Sequence, residues 1–167
     1  MRLVRSMRAV RTFTAEAVDD AVLTQILDVA RWAGSARNRQ PWHWTVCRGA
    51  RLRRELARSG PYAGFLTDAP VVAVLSVDSD TGGADGEFDC GRAAQQLLVA
   101  AAAVGLGACP VTLDPDRVVG LRTLLGLDDR WSPRWAIALG HPAPPPTEGR
   151  SAIPRGRRAL DDVVTWR

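Results

Sequence analysis

A chain of 167 residues is long enough to bury a substantial core but short for two independent ones, so one domain over residues 1–167 is expected. Its 22 Lys+Arg residues are all arginines, set against 18 acids for a net charge of +4. That composition excludes a Schiff base, a lysine general base and a P-loop lysine.

Cys47, Cys90 and Cys109 stand too far apart for a CxxC pair and form no disulfide framework, which suits a reducing, cytoplasmic setting. His43 and His141 have no cysteines or acids clustered with them, so neither a metal site nor a Ser-His-Asp triad is expected. A sequence pI near 9.7 permits nucleic-acid binding. The arginines are nevertheless interleaved with acids and accompany no nucleic-acid motif, so no nucleic-acid partner is expected. The first eight residues hold no apolar run of signal-peptide length, and residues 97–111 are too short and too rich in Ala and Gly to span a bilayer; no membrane association is expected.

In chain order, residues 14–33 place Val22, Leu23, Ile26, Leu27, Val29, Ala30 and Ala33 at helical spacing, with Thr14 or Asp19 as N-cap. Trp42, Trp44 and Val46 alternate with His43, Thr45 and Cys47, as in a half-buried strand over residues 42–47. Residues 50–58 read as a short charged helix, and residues 69–77 as a strand buried on both faces. With Gly82, Gly83 and Gly86, residues 78–87 read as a flexible acidic loop.

An Ala-rich helix then covers residues 88–107, apolar nearly all round and stopped by Gly105, which suits either a central core helix or one that meets a second protomer. A strand over 108–113, a helix over 115–125 opened by Pro115, and a buried strand over 135–140 follow. Beyond them the chain is Pro-rich and then Arg-rich. The alternation is not a plain βαβ repeat and no GxGxxG follows a strand, so an α+β three-layer domain is expected rather than a doubly wound one.

The helix-to-strand corner between Ala33 and Trp42 concentrates hydrogen-bonding groups on Ser35, Arg37, Asn38, Arg39 and Gln40 beside a backbone that small residues leave approachable. Such a corner suits a planar, polar-edged, anionic ligand.

Four segments, in order, resemble the nitroreductase family of FMN-dependent oxidoreductases. They are Arg8-Ala-Val-Arg-Thr-Phe13, Ala33-Gly-Ser-Ala-Arg-Asn-Arg-Gln-Pro-Trp42, Asp89-Cys-Gly-Arg-Ala-Ala-Gln-Gln-Leu-Leu98 leading into Gly105-Leu-Gly107, and Ile137-Ala-Leu-Gly-His-Pro142 with the basic stretch from Arg155 to Leu160. The resemblance implies an α/β/α fold with a mixed central sheet and a homodimer that binds FMN across its interface. It assigns Arg8 and Arg157, with Arg155 and Arg158 as neighbours, to the FMN phosphate, and Arg11 to the pyrimidine edge of the ring. Ser35, Ala36, Arg37 and Asn38 would run along the ribityl chain and ring, with Gln40 at the end of that loop. Pro110, Val111 and Thr112 would lie opposite flavin N5. NADH or NADPH would deliver hydride, and a small-molecule acceptor such as a nitroaromatic, a quinone or an activated alkene would take it, with no side-chain acid or base assigned.

The chain departs from the family pattern at three positions. Met7 replaces an arginine, Ala9 a serine and Gly34 a proline, which implies weaker phosphate contacts and a looser corner. Segments 62–66 and 82–88 are left to shape the pocket. The alternatives are a flavin-dependent dehydrogenase or dehalogenase acting on one metabolite, and a flavin-binding protein without catalysis.

Overall fold

The computed structural model describes residues 1–144 and 156–167. A four-stranded sheet of order β1-β2-β4-β3 divides the core into two layers. Its strands are β1 (Trp42–Cys47), β2 (Val71–Asp78), β3 (Gly107–Thr112) and β4 (Trp131–Gly140). The helices are α1 (Arg2–Ser6), α2 (Asp20–Arg31), α3 (Ala50–Ala57), α4 (Gly83–Ala103) and α5 (Val118–Leu125). On one face of the sheet Leu23, Ile26 and Ala30 of α2 and Leu97 and Ala101 of α4 pack on Val71, Ala73, Ile137 and Leu139. On the other, Leu56 of α3 and Leu121 of α5 close over Val72, Val74, Ala136 and Ala138. The α+β three-layer arrangement expected from the sequence therefore forms.

The mixed sheet does not. Every pairing among the described strands is antiparallel. The strands β2 and β3, joined through α4, do point the same way, as a helical crossover requires, but β4 lies between them and opposes both. β2 is buried along all eight residues, which explains its continuous apolar run.

Three boundaries differ from expectation for identifiable reasons. Helix α2 starts at Asp20, not Thr14, because the Asp19 carboxylate accepts from the Ala21 amide at 2.6 Å and so caps it. The preceding residues are held extended by tertiary contacts, with Thr14 N–H donating to the His141 carbonyl at 2.9 Å and Phe13 bridging to Pro142. Helix α4 starts at Gly83, inside the segment expected to be a loop, with Gly86 N–H donating to the Gly82 carbonyl at 2.7 Å. A Cβ on Gly82 would collide with the Asp78 carbonyl and stand 3.0 Å from Val77 Cγ2, so the entry to the helix packs closely because that residue lacks a side chain. At its other end Gly105 (φ +80°) follows the last turn, and Leu106 N–H donates to the Ala101 carbonyl at 2.9 Å, as a left-handed stop requires. Finally, β4 starts at Trp131, four residues early; Arg134 is its bulge residue between the Leu75–Trp135 and Ser76–Pro133 pairs, and its guanidinium meets Glu87 at 2.9 Å.

Gly140 shows how tightly the N-terminal segment is fitted. A Cβ there would stand 2.6 Å from Pro70 Cδ and 2.9 Å from Phe13 Cδ1, two rings with little freedom to move. Gly140→Ala is expected to cost about 1–3 kcal/mol of overpacking, read by urea denaturation.

Candidate functional site

Two regions carry the residues singled out above, and α4 connects them. The first is an open groove of about 710 Å3 between α1, residues 7–10, the C-terminal half of α4 and Arg157. Leu98, Ala102, Leu106 and Pro110 make much of its surface apolar, while Arg8 and Arg157 bring cations to it. The Arg8 guanidinium donates to the carbonyls of Arg5 (2.9 Å) and Met7 (2.7 Å), and that of Arg157 to the Gly156 carbonyl (2.9 Å). Among the described residues neither meets a carboxylate, so both retain charge and donors for an anion. Ala9 lines the groove without a polar side chain. Arg158 turns instead to the Asp162 carbonyl at 2.6 Å, and Arg155 lies outside the described residues.

The second region is the corner between α2 and β1. A turn spans Ala36–Asn38, and Arg37, Asn38 and Gln40 adopt φ values of +52°, +55° and +52°. Non-glycine residues there cost about 1–2 kcal/mol each and persist only where their surroundings hold them. The holding contacts are visible. Asp89 of α4, 4% exposed, accepts the Ala36 amide at 2.8 Å; Ser35 Oγ accepts the Gln40 amide at 2.9 Å. The Pro41 carbonyl accepts from Asp78 N–H at 3.0 Å and from the Cys90 thiol at 3.5 Å. Arg37, Asn38 and Gln40 are exposed, so this strained segment presents its polar groups outward.

The two regions follow one another along α4: Asp89, at the corner, is six residues from Gln95 and thirteen from Ala102, both at the groove, or about 9 Å and about 20 Å at 1.5 Å per residue. Arg11 stands apart, with its guanidinium 5.8 Å from the Phe65 ring centre. On β3, Pro110 and Thr112 are exposed while Val111 packs into the α3/α5 layer. A Cβ on Gly60 would fall 2.8 Å from the Thr112 carbonyl, so the turn carrying exposed Tyr62 abuts this end of β3. Trp32 is 71% exposed beside the corner, whereas Trp44 packs in the core.

The thiols are unsuited to nucleophilic chemistry. Burial pushes Cys47 up to about 11; burial, with Asp89 and Glu87 adding to it, pushes Cys90 up to about 12. Burial raises Cys109 too, against the opposing charge of Arg11. All three stay protonated at neutral pH. No cluster of metal-ligating side chains occurs among the described residues, and no helix there is long and apolar enough to cross a membrane.

Sequence reasoning gave no separate role to Asp89 or Arg92. The one available signal was an acid and an arginine one turn apart in a helix otherwise rich in small residues.

An α/β/α sandwich with an arginine-flanked groove and a strained polar corner suits a small molecule that carries an anionic group. The nitroreductase family model matches residues 4–59 and 57–141, and the chain belongs to that family. A Methanothermobacter thermautotrophicus protein provisionally named NADH dehydrogenase/NAD(P)H nitroreductase is 32% identical over 150 residues, covering 87% of this chain and 78% of that one. An NADH dehydrogenase of Thermus thermophilus is 29% identical, covering 96% and 92%. Among solved structures, a provisionally named nitroreductase of Desulfovibrio desulfuricans in complex with FMN has a TM-score of 0.84 at 30% identity, covering 98% of this chain and 93% of that one.

Proposed function

We propose that this protein is an FMN-dependent oxidoreductase that uses NADH or NADPH and works as a homodimer, each flavin site combining the groove of one protomer with the corner of the other. The convergence of Arg8 and Arg157 on an apolar groove carries this reading. The residues fit the cofactor: two guanidinium groups with no carboxylate partner among the described residues suit a phosphate, and a groove of about 710 Å3 with apolar walls suits a ring system. When bound, FMN would supply two-electron chemistry between a nicotinamide and an electrophile such as a nitroaromatic or quinone.

The chain's own groups bind and orient. Arg8 and Arg157 hold the phosphate, and the fixed charge of Arg11 favours negative charge in its neighbourhood. The exposed side chains of Arg37, Asn38 and Gln40 orient a polar ring edge. No side chain is assigned as catalytic acid or base.

Support for the dimer comes from α4. Phe88, Gly91 and Gln95 are exposed along one stripe of α4 that runs on to half-buried Leu98 and Ala102, and Phe88 is 70% exposed. A second copy packed along that stripe would set its corner against the groove of the first.

Arg8→Ala is expected to weaken FMN binding by about 1–3 kcal/mol, or roughly 5- to 150-fold, in a fluorescence-quenching titration. An unchanged dissociation constant would assign Arg8 to ordinary surface charge. Met7 and Ala9, which bring neither a charge nor a hydroxyl to the phosphate end of the groove, favour one other reading: a protein that stores flavin without turning it over. Reduction of the bound flavin by a nicotinamide within seconds separates the two.

A further inference from the structure

The side of the corner that faces α4 is built from a glycine and an arginine that occupy the same space. Gly34 has no side chain, and a Cβ there would lie 2.6 Å from Arg92 Nη2 and 3.3 Å from both Cζ and Nη1. The guanidinium therefore lies in the volume that Gly34 leaves empty. From that position Nη1 reaches Asp89 Oδ1 at 3.5 Å, while Asp89 Oδ2 accepts the Ala36 amide at 2.8 Å. We propose that Arg92 is a positioning residue, admitted by Gly34, that orients the Asp89 carboxylate and through it locks the strained segment from Arg37 to Gln40 in its ligand-binding shape.

A buried carboxylate needs its acceptor positions satisfied. Asp89 has one strong donor in the Ala36 amide and one charged partner in Arg92, which sits on the next turn of α4 and is about half exposed at its tip. Removing Arg92 leaves one carboxylate oxygen without its cation, so the side chain is free to rotate away from Ala36. The Ala36 anchor sits immediately before three left-handed residues, whose strain then has one fewer contact to hold it. Adding a methyl group at Gly34 has the same consequence by another route. A flexible guanidinium yields to a Cβ more cheaply than backbone does, so Gly34→Ala displaces Arg92 and leaves the fold in place.

The functional part of this inference rests on the flavin reading above; its structural part does not. Amide exchange at Ala36 is measured first in the flavin-free protein. Arg92→Ala and Gly34→Ala are each expected to speed it about 5-fold or more, the scale of one partly screened ion pair acting through a hydrogen bond. Arg92→Lys, which keeps the cation, recovers part of the protection. The double variant is expected to match either single one, because both remove one interaction. An FMN titration should then show about a 5-fold weaker dissociation constant for both single variants, with the denaturation midpoint little changed. Unchanged Ala36 exchange in Arg92→Ala, or effects of the two substitutions that add, would overturn the proposal. If wild-type protein fails to take up FMN, the flavin reading falls, while the exchange data still decide the role of Arg92.

Discussion

Leu98→Glu is expected to leave a folded chain that has lost both its partner and its flavin. Leu98 is half-buried at the end of that stripe of α4, where it packs in part against the core and lines the groove that holds Arg8 and Arg157. In a twofold interface every residue on the axis-facing stripe recurs from the second copy, so one substitution brings two carboxylates into a low-dielectric contact. Each would have to shed water or take up a proton, at a cost of several kcal/mol per group. A rise in the dimer dissociation constant of at least about 100-fold, near 3 kcal/mol, follows. Light scattering should then report the 18.0 kDa mass of one chain instead of twice that value. Flavin absorbance after desalting should fall in parallel, with the far-ultraviolet circular dichroism unchanged. A variant that stays dimeric and yellow would show that the stripe faces solvent.

The second large effect concerns Asp78, at the end of β2. Its Oδ2 accepts from Arg130 Nε at 3.1 Å and Nη2 at 2.9 Å, and its Oδ1 accepts the Asp80 amide at 2.9 Å and the Thr81 amide at 3.4 Å. One buried carboxylate thus joins the end of β2, the approach to α4 and the start of β4. Asp78→Ala strips Arg130 of its partner and leaves two amides without an acceptor. The expected loss is about 2–4 kcal/mol of unfolding free energy; the exposed tip of Arg130 keeps it from being larger.

The pH dependence carries the same signature. Burial pushes this carboxyl up, but Arg130 and the two amides together more than offset it, so the group sits below its ordinary 3.8 when folded. Its contribution is therefore complete above about pH 4 and is lost as the pH falls through the folded value. Wild type and variant should differ fully at neutral pH and converge in acid. A difference independent of pH would mean that the loss comes from packing alone.

How much of this was legible in the sequence depended on whether the cause was local. The strand at Trp42–Cys47 and the continuous run ending at Asp78 announced themselves through alternation and through unbroken apolarity. Thr14 looked helical because its extended shape is imposed by the carbonyl of His141, which stands 127 residues away. Residues 83–87 looked like a loop because glycine is a poor helix former; the close approach is at Gly82, where a Cβ would collide with the Asp78 carbonyl. The antiparallel sheet was hidden because β4 inserts between two strands that a helix connects. At the site, the polar corner and the gathering of Arg8, Ala9, Pro110 and Arg157 around one groove followed from the motif order. The left-handed conformations of Arg37, Asn38 and Gln40 did not, because their anchor, Asp89, is 53 residues from Ala36.

The central claim, flavin chemistry at a groove that arginines make anionophilic, is tested most directly by adding FMN to the purified protein, desalting, and recording its absorbance before and after anaerobic NADH and then NADPH. A flavin band that survives desalting and bleaches within seconds with either nicotinamide is the predicted result. Protein that emerges colourless from FMN at concentrations far above those a phosphate-binding arginine pair requires would contradict the account and leave a family fold without its chemistry.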